Sequence, residues 1–298
     1  MDNQITIPPI QSISKFSEML GSKVDVLRLD LLHPIVSGNK WFKLKYYIED
    51  AEEKGYKKIV TFGGAYSNHI VATAFASKSQ GFETIGIIRG EEPKTISHTL
   101  QQARDYGMEL YFTSREEYQN KKTLEEYYLN KGYYIIPEGG CGSLGVKGST
   151  EILDSVFDIK TYTHIICACG TGTMIAGIIQ SSFPYQKVIG INVLKGYTEI
   201  KNDIIDLLDD RFKSKMFEIL NEYHFGGYAK SPEKLLNWMN NFWQKEKIPT
   251  DKVYTAKLFY AVEDLISNNY FNNDSKLLVI HCGGLQGNLS LPKGTLLF

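Results

Sequence analysis

The sequence predicts an α/β protein built on two open, largely parallel, twisted sheets with flanking helices. Short runs rich in Ile, Val and Tyr alternate with amphipathic segments along most of the chain, the order expected of parallel strands joined by crossover helices. The apolar runs are continuous, as strands covered on both faces require. They fall into two groups, one within residues 57–137 and one beyond residue 160, which points to two sheets.

In chain order, KVDVLRLDLL reads as an early edge strand. KKIVTFGG, ETIGIIRG, ELYFTSR and YYIIPEGG are the four strands of the first group, separated by the helical segments SNHIVATAFASKSQG, SHTLQQARDYG and TLEEYYLNKG. A helix near GVKGSTEILDSVF leads into the second group: the strand THIICACG, the helix TMIAGIIQSS and the strands KVIGINVLKG and KLLVIHCGG. No internal repeat, low-complexity tract or Gly/Ser linker interrupts this order, so the two halves are expected to share a rigid cleft.

Composition narrows the function. With 298 residues, 43% hydrophobic and 22% charged, the chain can bury one large core or two smaller ones, and disordered or fibrous classes are excluded. A net charge of -1, from Lys+Arg 33 against Asp+Glu 34, gives no reason to expect nucleic acid or an anionic membrane as partner. A small neutral or zwitterionic substrate stays open. Cys141, Cys167, Cys169 and Cys282 lack the spacing of a zinc site or a disulfide framework and suit a reducing cytosol. MDNQITIPPIQSISKF lacks a basic segment followed by a long apolar run, and no stretch reaches the roughly 18 apolar residues of a membrane span. A cytoplasmic protein is expected.

Three segments carry chemistry. HIICACGTGTMIAG reads as a buried strand, a glycine-rich turn and a helix start, whose free N–H groups and dipole make Gly170, Thr171, Gly172 and Thr173 a cup for an anion. Ile175 stands where a dinucleotide fingerprint needs its third glycine and Asn192 closes the next strand, so a phosphate monoester is the expected ligand. The bland alternative is a tight turn without a ligand. GGCGSLGVKGST is set aside as a nucleotide loop, because Val146 displaces the lysine.

TFGGAYSNHIVATAF supplies Ser67, Asn68 and His69 at a helix start, where N–H groups can hold a carboxylate; equally, Ser67 or Asn68 can simply cap the helix. His33, His98, His164, His224 and His281 show no metal-ligand spacing, and no metal is expected. Finally, VSGNKWFKLK crowds Lys40, Lys43 and Lys45 against Trp41 and Phe42. A Schiff-base lysine must be partly neutral, and both apolar neighbours and a second cation lower its pKa, so Lys40 is the candidate. A solvated helix face accounts for Lys45 but not for Gly38-Asn39 before Lys40.

S-G-N-K-x-x-K-L, followed about 25 residues later by G-G-x-x-S-N-H, is similar to the 1-aminocyclopropane-1-carboxylate deaminase and D-cysteine desulfhydrase family. The resemblance continues through CGTGTMIAG, HFGGYAKSP, VYTAK and HCGGLQG. It implies the tryptophan-synthase-β-like fold, with pyridoxal 5'-phosphate in the interdomain cleft. It further implies a smaller domain over residues 43–151 inserted into a larger one from residues 1–42 and 152–298. By the same resemblance, Lys40 joins the cofactor and Lys43 holds its phosphate together with Gly170–Thr173. Asn68 meets the ring hydroxyl and Thr255 the pyridine nitrogen. Ser67 faces the substrate as carboxylate ligand or proton-transfer group, with His69, Tyr228 and Tyr254 lining the substrate pocket. Tyr66 and the segment YAKSP depart from the family pattern and bear on the substrate.

The expected activity is a lyase on a small amino acid: α,β-elimination from D-cysteine first, cyclopropane ring opening to 2-oxobutanoate second. A non-catalytic phosphate-ligand binder is the reading from another class. A hydroxyl at Thr255 cannot supply the negative charge that keeps a ring nitrogen protonated, which favours D-cysteine. A homodimer is the expected assembly.

Overall fold

Several of the continuous apolar runs do become strands buried along nearly their whole length, whereas ELYFTSR and YYIIPEGG give strands that are only part-buried. The computed structural model describes residues 6–298. In chain order the strands are β1 (Ile10–Ser12), β2 (Val24–Arg28), β3 (Lys58–Gly63), β4 (Glu83–Arg89), β5 (Met108–Thr113), β6 (Tyr133–Ile136), β7 (His164–Cys169), β8 (Lys187–Asn192), β9 (Phe217–Leu220) and β10 (Leu277–His281). The larger sheet runs β1-β2-β10-β7-β8-β9, with β1 antiparallel to β2 and every other pair parallel. The smaller runs β5-β4-β3-β6, all parallel. Two open, largely parallel sheets with flanking helices are thus the architecture.

Three sequence readings need correction. KVDVLRLDLL holds β2, but every residue of that strand is buried and it lies between β1 and β10, so it is central. Its one acid, Asp25, is satisfied by the Tyr162 hydroxyl at 2.6 Å and Lys23 Nζ at 3.1 Å, as a buried carboxylate requires. The true edges, β1 and β9, escaped notice because they have three and four residues and no fully buried position. In GVKGSTEILDSVF the helix is only Ser143–Thr150; a separate 3-10 turn, Leu153–Ser155, succeeds it.

The element that positions the site is the helix Asn39–Glu53. It begins where Gly38 touches β10's exit: a Cβ on Gly38 would lie 1.9 Å from the Cys282 carbonyl oxygen. Gly38 also has φ 66 and ψ −149, a region open to glycine alone. Asn39 N donates to that same Cys282 carbonyl at 3.2 Å, and Gly38 N to the Leu29 carbonyl at 2.8 Å. Further along, the helix packs closely on Ser143–Thr150, where a Cβ on Gly148 would lie 1.8 Å from the Phe42 carbonyl oxygen. Among the described residues no helix is long and apolar enough to cross a membrane.

Gly38→Ala is therefore expected to cost about 3–5 kcal/mol, strain and overpacking together. Gly21→Ala is the control: Gly21 has φ 68 and nothing within 4 Å of its missing Cβ, so it carries only the left-handed cost of about 1–2 kcal/mol. Urea denaturation of the two variants side by side checks the difference.

Candidate active site

Loops at the carboxyl ends of parallel strands converge on one cleft of about 670 Å³, the usual place and size for a small-molecule site in open α/β sheets. The smaller sheet contributes Gly64–His69 after β3 and Gly139 after β6; the larger contributes Gly170–Gly172 after β7 and Cys282–Gly284 after β10.

Lys40 and Lys43 lie three residues apart on the first turns of the helix Asn39–Glu53, so both face the cleft. Burial lowers both pKa values. For Lys43 the value falls to about 7, with the Lys40 charge as the second cause; for Lys40 burial alone depresses it, against the Cys282 and Cys141 thiols. The second-cation effect anticipated at Lys40 is thus found at Lys43. Nor do the aromatic neighbours cover Lys40. Successive helix residues diverge by about 100°, and Trp41 stacks on His33 with centroids 6.3 Å apart. Lys45 leaves the cleft to pair with Glu151 at 2.9 Å.

Lys43 Nζ donates to the Gly139 carbonyl and to Thr171 Oγ1, each at a long 3.4 Å, so its donor capacity is barely used. Thr171 and Gly172 precede the helix Thr173–Ser181, whose first amides have no side-chain cap. The Thr173 side chain is buried, its hydroxyl 3.2 Å from Thr171 Oγ1.

Ser67 caps the helix Asn68–Ser79 through Ile70 N at 3.4 Å and also lines the cleft, so the bland and the functional positions coincide. Asn68 Oδ1 is buried without a partner. His69 sits behind them, 3% exposed, with Nε2 2.8 Å from Thr61 Oγ1. Thr61 already donates to the Ile136 carbonyl, so it accepts from Nε2–H. Burial first, then the Lys40 and Lys43 charges, hold the imidazole pKa well below its usual range and keep it neutral.

Tyr228 and Tyr254 both line the cleft and meet edge to face, ring centroids 6.1 Å apart and planes at 75°. Burial holds the Tyr254 hydroxyl pKa well above its usual value. Thr255 is not brought to the cleft. It is fully buried, and its hydroxyl accepts from Asp251 N at 2.6 Å and donates to Asp251 Oδ1 at 2.9 Å. Asp251 lines the cleft instead. Its carboxylate also takes the amides of Val253, Tyr254 and Thr255 at 2.8–3.0 Å. The sequence reading missed it. Arg89, Glu138 and Cys282 also line the cleft and were missed; each stands at or beyond a strand's end, which only the fold reveals.

A pyridoxal phosphate carries an aldehyde, a phosphate and a ring hydroxyl, and the cleft offers a partner for each. Lys40 presents an amine, and Lys43 with the uncapped helix start presents unspent donors. The orphaned Asn68 amide suits a hydroxyl, which both donates and accepts. The residues present fit the group.

Comparison with known proteins agrees. Residues 1–283 match the family described as pyridoxal-phosphate dependent enzyme. A Thermotoga maritima protein provisionally named 1-aminocyclopropane-1-carboxylate deaminase is 31% identical, with 96% of each chain covered. A D-cysteine desulfhydrase of Salmonella typhi is 24% identical over 93% of this chain and 91% of its own. The crystal structure of an ACC deaminase homologue superposes with a TM-score of 0.81 at 25% identity, covering 97% of this chain and 92% of that one. A hydrogen sulfide-producing enzyme from Fusobacterium nucleatum has the same fold, with a TM-score of 0.71 at 17% identity over 98% of this chain and 100% of its own.

Because Lys43 loses its proton near pH 7 in the ligand-free protein, anion binding should weaken as pH rises through that value. Sulfate, whose own charge is constant there, is expected to bind about tenfold more weakly at about pH 8 than at about pH 6.5. Calorimetric titration checks it, and Lys43→Met should weaken binding and flatten the slope.

Proposed function

The chain belongs to the pyridoxal-phosphate-dependent enzyme family, and from that premise we propose a lyase that eliminates sulfide from D-cysteine, giving pyruvate and ammonia. When bound, the cofactor supplies an electron sink for bonds breaking at the substrate's α-carbon. The rest falls to this chain's own groups. Lys40, whose amine pKa burial lowers, would attach the cofactor and move the α-proton at Nζ. Lys43 and the backbone of Gly170, Thr171, Gly172 and Thr173 hold the phosphate, and Asn68 holds the ring hydroxyl. Ser67 and the helix start beside it receive the substrate carboxylate, with neutral His69 as the wall behind. Tyr254, whose hydroxyl burial keeps protonated, and Tyr228 beside it would serve as donors to the leaving sulfur. As the Cα–H and Cβ–S bonds break, sulfur departs as hydrosulfide, and the remaining three-carbon product takes up water to yield pyruvate and ammonia.

The observation that favours this substrate is the state of the two carboxylates lining the cleft. Cyclopropane opening, from a substrate with no α-proton, demands the deepest electron withdrawal, and hence a carboxylate free to keep the ring nitrogen protonated. Glu138 is paired with Lys121, and Asp251 is saturated by four donors. Thr255 bears on this choice only indirectly: its hydroxyl is committed to Asp251, and it is the quenched acids that leave the sink shallow. A β-thiol leaves readily even so. The division at residues 43–151 goes with this reading, since all four strands of the smaller sheet lie inside that span.

The holoenzyme is expected to release sulfide and pyruvate from D-cysteine, with little 2-oxobutanoate from 1-aminocyclopropane-1-carboxylate. Efficient cyclopropane opening would replace this reading with the deaminase, and no turnover of either, with phosphate ligands still bound, would leave a binder. Lys40→Ala should abolish turnover while sulfate still binds at Lys43.

Ser67→Ala separates its two positions. Its capping bond is long, so at most about 1 kcal/mol of stability should be lost. Loss of a substrate-facing group should lower kcat/KM by about 10²-fold or more. A lower melting temperature with an unchanged rate would return Ser67 to capping alone.

A further inference from the structure

Lys257 has no exposed surface, yet it stands in the helix Thr255–Ser267 among Ala256, Leu258, Phe259 and Ala261, all fully buried. Its ammonium donates to the Gly227 carbonyl at 2.7 Å, the one hydrogen bond it makes among the described residues. Burying an ammonium costs several kcal/mol unless a partner compensates, so apolar packing would be served better by leucine or methionine. Burial lowers the Lys257 pKa to about 8, which leaves it charged at neutral pH and its hydrogen bond charge-assisted.

The acceptor belongs to an unusual piece of chain. Phe225 (φ 51), Gly226 (φ 93), Gly227 (φ 121) and Ala229 (φ 57) all have left-handed or otherwise positive φ. Two of the four carry side chains, and each costs about 1–2 kcal/mol in that conformation. Such a loop needs an external hold. Tyr228 lies in the middle of it. Tyr254, its edge-to-face partner, immediately precedes the helix that carries Lys257, and Asp251 fixes Tyr254 through its amide at 3.0 Å.

We propose that Lys257 is the positioning residue that fixes Tyr228 against Tyr254: its ammonium clips the Gly227 carbonyl and thereby sets the loop that presents the tyrosine. One helix then governs both rings, Tyr254 directly and Tyr228 through the clip. This accounts for why HFGGYAKSP and VYTAK, far apart in the chain, belong together. The catalytic consequence rests on the reading of Tyr228 as a substrate-facing group; the clip itself does not.

The test is hydrogen exchange by mass spectrometry on cofactor-loaded Lys257→Met, with kcat and KM for D-cysteine measured on the same sample. Exchange over residues 224–231 is expected to accelerate by about tenfold or more while β7 and β10 stay protected. The kcat should fall by about 10- to 100-fold with a smaller change in KM. Lys257→Gln keeps an N–H donor on a slightly shorter side chain and should recover part of both. Unchanged exchange at 224–231 in both variants overturns the proposal. So does protection lost evenly over the whole chain, or failure of both to fold, since Lys257 would then be core filling. A loosened loop in a protein whose wild type ignores D-cysteine would keep the clip and discard the substrate.

Discussion

The position of Lys40 depends on a contact between two backbones that no side chain could share. Gly38 lies against the Cys282 carbonyl in a conformation only glycine adopts, and Asn39 donates to that same oxygen. This ties the start of the Lys40 helix to the end of β10, while Gly38 N ties it to the Leu29 carbonyl just beyond β2. The amine is thereby referred to two neighbouring central strands, the stiffest part of the larger sheet. One turn on, at Phe42, the same helix meets Ser143–Thr150 through Gly148. The turn that carries Lys40 and Lys43 is thus held at backbone distance on two sides, and burial there lowers both pKa values.

The electrostatics of the cleft depend on which helix starts are already capped. Besides the Lys40 helix, whose first amide is already bonded to the Cys282 carbonyl, three helices begin at its wall, at Asn68, Thr173 and Thr255. Asp251 saturates the last of them with four hydrogen bonds. Ser67 caps the first through one long bond, and the helix from Thr173 has no side-chain cap. With Lys43 beside it, that uncapped start has the greatest unmet demand for negative charge. The gradient runs from Thr173, through Asn68, to a neutralised end at Thr255, so an anionic ligand has a preferred orientation before any specific contact forms.

Most of this was legible where the signal is local. The lysine spacing, the glycine turn after β7 and the SNH segment each sit within a few residues of a strand or helix boundary, and periodicity finds those boundaries. The two-sheet architecture was legible because buried parallel strands are apolar throughout. What failed was non-local. β2 read as an edge because one neighbour, β10, comes from the other end of the chain and the other, β1, has only three residues. β1 and β9 were too short to show a period. Trp41 adjoins Lys40 in sequence but faces His33 across the helix. Thr255 comes directly after Tyr254, and only the turn at Asp251 shows that its hydroxyl is spent before it could reach a ligand.

The helix carrying Lys40 and Lys43 also has a mechanical meaning. Three residues of α-helix set the backbones of the two lysines about 4.5 Å apart along the axis, and the close contacts at Gly38 and Phe42 fall within that same first turn. The spacing of the two positions is therefore fixed by helix geometry alone. Under the roles proposed for the two lysines, they form a caliper whose opening no rearrangement elsewhere in the cleft would alter.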